Sequence, residues 1–88
     1  MKQKNPMETK NKTSSFPLIT AQENETLYIT EIKGGRRFKD KCIDQGLVPG
    51  RKIEILNNSG NGPCLVKLFN TRIMIGRGML ARIYVRPA

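Results

Sequence analysis

The chain has 88 residues, enough for one small domain with a modest core. Sixteen Lys and Arg against seven Asp and Glu give a net charge of +9. That balance admits nucleic acid, anionic lipid or an acidic protein face as a partner and selects none of them. Histidine is absent, which removes the commonest general base and the commonest metal ligand together.

No apolar run approaches the roughly 20 residues of a bilayer span, and the N-terminus carries no apolar leader, so a cytoplasmic location is expected. Cys42 and Cys64, 22 residues apart, are then expected to be reduced. Residues 1–15, "MKQKNPMETKNKTSS", hold four lysines and one glutamate and little that is apolar. They are expected to form a disordered basic tail. Removing their +3 leaves +6 on the remainder, so the domain itself, 16–88, is basic.

The domain opens with "FPLITAQENET", where Pro17 suits an edge strand and Thr20 can cap one helical turn. "TLYITEI" is rich in β-formers. Leu27 and Ile29 alternate, but the next aliphatic is Ile32, and the extra residue predicts a β-bulge. Gly34-Gly35 ends the strand. A short amphipathic helix is predicted near 36–45, with Phe38 and Cys42 inward, Ile43 widening the apolar face, and Leu47 continuing the stripe. Gly46 falls where a left-handed residue closes a helix. Val48 is pushed to an extended conformation by the proline after it, and Pro49-Gly50 fits the centre of a type II turn.

"RKIEIL" then alternates, with Ile53 and Ile55 on one face. Residues 57–63 read as a loop. "CLVKLF" and "RIMI" form a hairpin over 64–75, with Asn70-Thr71 as the connection and Met74 filling the core. "GRGMLA" fits one 3₁₀ turn before a last strand, "RIYV". The fold class is all-β: a small SH3-like barrel of five to six short strands with one short α-helix and a 3₁₀ turn before the last strand. An OB-fold and an open α+β sheet are the alternatives.

Four stretches carry a family resemblance: "YITEIKGG", "QGLVPGRKIEIL", "GPCLVKLFNTRIMIGR" and "RGMLARIYV". They cover nearly all of the domain, and the layout resembles the FeoA family. The resemblance implies a small cytosolic partner of the ferrous-iron GTPase-permease FeoB. The same domain is similar to the C-terminal SH3-like module of iron-dependent repressors. The chain has Glu23-Asn24 where the family often has Pro-Gly, Leu80 where an alanine is usual, and Asn70 where glycine is common. The resemblance brings no catalytic residue, cofactor or metal ligand to transfer.

The residues themselves point the same way. Cys42 and Cys64 read as small buried hydrophobes. Glu23, Glu25 and Glu31 are explained by a solvated bend, so no metal site is expected, and no cofactor. Gly76–Gly78 lacks the lysine and hydroxyl of a phosphate loop. The aromatics are too scattered for a polyproline groove.

The candidate partner-binding surface is the outer face of the helix, Arg36, Arg37, Lys39 and Lys41, beside Leu47 and Val48. A merely solvated helix accounts for the four cations equally well. The expected function is a non-enzymatic accessory that binds the cytosolic part of FeoB, without inserting into the membrane. The alternatives are a basic barrel that binds nucleic acid and a free-standing repressor-type interaction module.

Overall fold

A computed structural model describes residues 15–88. Strand β1 is Phe16–Pro17, followed by a 3₁₀ turn at Leu18–Thr20; β2 is Thr26–Ile32 and helix α1 is Arg36–Asp44. Strands β3, β4 and β5 are Lys52–Asn58, Cys64–Leu68 and Thr71–Ile75; a single helical turn, α2, covers Arg77–Leu80, and β6 is Ile83–Pro87. The strands form one antiparallel sheet in the order β1-β6-β2-β3-β4-β5. Curled round a single core, they make the expected SH3-like barrel. The 3₁₀ turn after β1 packs on α2 and β6. Of the expected tail, only Ser15 lies within the described residues, with its hydroxyl 2.8 Å from that of Thr30.

Two bulges bend the sheet and set which side chains face inward. Pairing of β2 with β6 runs from Ile29↔Val85 to Glu31↔Tyr84, which leaves Thr30 as the extra residue. The slip returns Ile32 to the inside, so Leu27, Ile29 and Ile32 are all buried. The second bulge, at Leu56, lies between Ile55↔Val66 and Asn57↔Leu65. It has the same spacing, and here the inward residue is polar. Asn58 Nδ2 donates to the carbonyls of Ala21 at 2.7 Å and Ile19 at 3.4 Å, while its backbone N–H meets Glu23 Oε2 at 3.2 Å. This staples the segment after β1 to the far end of β3. Residues 57 and 58, expected in the loop, therefore belong to the strand.

The helix stop follows the local chemistry closely. Gly46 takes φ +86°. Its N–H bonds Ile43 O at 2.9 Å, and Leu47 N–H bonds Cys42 O at 2.8 Å, the paired bonds of a Schellman motif. Leu47 packs back into the core, as the apolar residue of that motif does. Val48–Arg51 is a type II turn, with Arg51 N–H on Val48 O at 3.1 Å and Gly50 at φ +92°. Asn24 takes the left-handed conformation at φ +71°.

Four details differ from the sequence reading. The hairpin turn lies one residue earlier, at Phe69–Asn70, because Leu68 pairs with Thr71; Phe69, not Asn70, is left-handed, at φ +56°. Met74 is exposed, because it stands opposite Leu65 on the outer face while Cys64 and Ile75 share the inner one. Ile43 is 55% exposed, since it lies about 100° round the helix from buried Cys42. The turn before the last strand mixes two bond types: Met79 N–H and Leu80 N–H both reach Gly76 O at 3.0 Å, a 3₁₀ and an α bond.

A Cβ at Gly46 would meet Leu68 Cδ2 at 2.9 Å, whereas one at Gly50 would meet nothing within 4 Å. Both positions are left-handed, so alanine at either costs about 1 kcal/mol for handedness. Gly46→Ala should lose about 2 kcal/mol or more, because Leu68 must also move. Denaturant midpoints check this; equal losses at the two positions would show that Leu68 yields freely.

Candidate functional site

Helix α1 is only nine residues long, and isolated helices of that length do not persist in water. It is held by its C-terminal cap and by its inner stripe. Cys42 is fully buried, and Phe38 packs partly against the core with the Arg82 guanidinium 5.0 Å from its ring centroid. The outer face is free of that duty. Arg36, Arg37, Lys39 and Lys41 are all exposed on it.

Two of these cations stand where helix chemistry disfavours them. Arg36 and Arg37 occupy the first turn, which contains no acidic residue, and the N-cap Gly35 has no side chain to offer. The helix dipole places partial positive charge there, so each arginine costs about 0.3–1 kcal/mol. A helix selected only for stability would carry Asp or Glu at those positions.

The structure divides the rest of the expected surface. Leu47 is fully buried beneath the Schellman turn and cannot meet a partner; its apolar side chain is the anchor of the helix stop. Val48 is half-buried at the first position of the type II turn. Ile43, which the sequence pattern placed inward, supplies the exposed apolar side chain, four residues on from Lys39. The surface is thus Arg36, Arg37, Lys39, Lys41 and Ile43, bordered by Val48.

Glu23 and Glu25, in the bend before β2, are engaged as loop acceptors. Glu25 Oε1 accepts the Gln22 N–H at 2.7 Å, and Glu23 Oε2 accepts from Asn58. Among the described residues no three His, Cys, Asp or Glu side chains converge as metal ligands. Both thiols are free and fully buried. Burial pushes both up from the ordinary thiol range; Lys41 partly opposes this at Cys42, and the Glu23 carboxylate adds to it at Cys64. Neither has the depressed pKa of a reactive or metal-binding thiolate. Among the described residues no helix is long and apolar enough to cross a membrane.

The family model of the FeoA domain matches residues 16–87. The chain belongs to the FeoA family. A protein of Methanocaldococcus jannaschii described as an Fe(2+) transport protein A is 30% identical over 73 residues, covering 83% of this chain and 88% of that one. A FeoA crystal structure described as an iron uptake regulatory protein superposes with a TM-score of 0.80 at 28% identity, covering 84% of this chain and 99% of the other. The solution structure of iron(II) transport protein A from Clostridium thermocellum gives 0.68 at 32% identity, over 85% of this chain and 42% of that one. A manganese-dependent transcriptional repressor superposes at 0.77 with 13% identity, over 84% of this chain and 42% of its own, a likeness of fold alone.

The thiols of this FeoA-family chain give a pH prediction. A raised folded pKa means that the folded state holds its protons more tightly than the unfolded chain. Stability from this source is complete below the unfolded thiol range of about 8.5 and declines as pH rises through and above it. Equilibrium unfolding at pH 7, 9 and 10.5 should show a falling midpoint, smaller in Cys42→Ala/Cys64→Ala. A thiol reagent at pH 8 should label neither cysteine until the protein unfolds.

Proposed function

We propose that the chain is a non-enzymatic accessory of ferrous-iron uptake in the cytoplasm, binding the cytosolic part of the FeoB GTPase-permease and modulating it. The observation that carries this reading is the family match over 16–87. The relatives described as iron(II) transport proteins support it. So does the exposed arginine pair at the wrong end of its helix dipole, a charge arrangement that the fold does not need.

The reading assigns two roles to the helix face. The four cations steer encounter with an acidic face of the partner, and Ile43, with the edge of Val48, supplies the apolar contact that slows release. No chemistry is asked of the chain. With no histidine, and the bend glutamates committed to backbone N–H groups, it has little from which to build acid–base catalysis.

The test is the binding kinetics of the full chain with the purified cytosolic domain of FeoB. Arg36→Glu combined with Arg37→Glu should slow association about tenfold at low salt and flatten its salt dependence. The melting midpoint should hold or rise, since glutamates suit the first turn. Ile43→Asp should instead speed dissociation. Rates indifferent to both changes, in protein shown to be folded, would remove this face. Absence of any binding by the wild-type chain would remove the partner.

A further inference from the structure

The turn between β4 and β5 contains a residue that neither the turn nor the core explains. Phe69 is left-handed, at φ +56°. A two-residue hairpin turn favours Gly, Asn or Asp at such a position, and a bulky residue there is an outlier. The other left-handed non-glycine residue, Asn24, has a polar side chain suited to that conformation; Phe69 has none. Burial does not compensate, because Phe69 is 71% exposed. A strained, solvent-exposed aromatic is the kind of outlier from which function is inferred.

The ring is held in place. The Arg51 guanidinium lies 4.7 Å from its centroid, and Arg51 Nη1 donates to Gly46 O at 3.1 Å, which ties the cation to the helix stop. Beside the ring lies an open groove of about 330 Å³, lined by residues of β2, β3 and β4. Arg51, Lys52, Glu54 and Lys67 line it with Phe69, while the Ile53 side chain points the other way, into the core. Three cations and one carboxylate give the groove a net positive charge beside one exposed apolar ring, Phe69.

We propose that Phe69 and this groove are a docking surface for an acidic peptide segment of a partner protein. An apolar side chain of the segment packs on the open face of Phe69, and its carboxylates meet Arg51, Lys52 and Lys67. Charge complementarity selects the acidic segment. The groove is open to solvent, so a segment of a partner can reach the ring and the cations together. A nucleic acid strand fits less well: Phe69 is the groove's one ring, enough to stack a single base, and Glu54 opposes a phosphate backbone. This surface lies on the sheet and is distinct from the helix face, so the inference goes beyond the iron-uptake reading and does not rest on it.

A random-decapeptide display selection on the full 88-residue chain tests the proposal, followed by anisotropy titrations of the selected peptides. The selected sequences should be rich in Asp and Glu around Leu, Met or Phe. Their binding should weaken at least tenfold in Phe69→Asn and in Lys67→Glu, and should fall with added salt. The melting midpoint of Phe69→Asn should hold or rise by a few degrees, since asparagine suits the turn. Four results would overturn the proposal. Selection could yield no acidic consensus, or Phe69→Asn could bind as the wild type does. The Phe69→Asn midpoint could drop, which would make the ring part of the fold. A twelve-nucleotide single-stranded RNA could bind more tightly than the selected peptides.

Discussion

The backbone bonds between Ile29 and the type II turn tie the molecule together. Ile29 N–H donates to Arg51 O at 2.9 Å, and Gly50 N–H donates to Ile29 O at 2.7 Å. The turn that ends the helix segment is thereby fixed to β2 immediately before its bulge. Arg51 adds a third tie through its side chain, to Gly46 O. Helix end, bulged strand and the start of β3 share one short segment, and each depends on a left-handed glycine, Gly46 or Gly50, that no other residue replaces without strain.

Both candidate surfaces follow from this knot. A nine-residue helix with one fully buried side chain is held by that inner stripe and by its stop, so the orientation of Arg36, Arg37, Lys39 and Lys41 depends on the Schellman turn. Phe69 rests on Arg51, which the same turn positions. Three of the other four aromatics are also partnered by cations, with Lys33 over Tyr84, Arg86 over Tyr28 and Arg82 over Phe38; Phe16 packs against the core. Only at Phe69 does the contact occur in a left-handed turn with the ring mostly in water. The arginine pair and Phe69 are the two places where local chemistry is set against the fold, and such conflicts gather where a protein meets something else.

Features encoded by adjacent residues could be read from the sequence. The spacing of Leu27, Ile29 and Ile32 announces the first bulge. Gly46 and Pro49-Gly50 announce the helix stop and the turn. Features that depend on distant partners could not. Asn58 looks like a loop residue because its acceptors, the carbonyls of Ala21 and Ile19, lie nearly 40 positions away. Leu47 adjoins the helix cations in sequence, yet the cap geometry that Gly46 announces buries it. Ile43 and Met74 are apolar yet exposed, because helix phase and strand register, not apolar character, decide burial. Phe69 is hidden in the sequence because turn chemistry favours asparagine, which points to a turn one residue further along.

Native-state hydrogen exchange of the backbone amides tests most directly whether the turn is the hub of the domain. The N–H groups of Ile29, Leu47 and Gly50 should exchange only through global unfolding, at rates matching the slowest strand amides and with the same denaturant dependence. Exchange of Leu47 and Gly50 through a local opening, orders of magnitude faster than the strands and insensitive to denaturant, would show that the helix and its stop are an appendage to the barrel and would contradict the account.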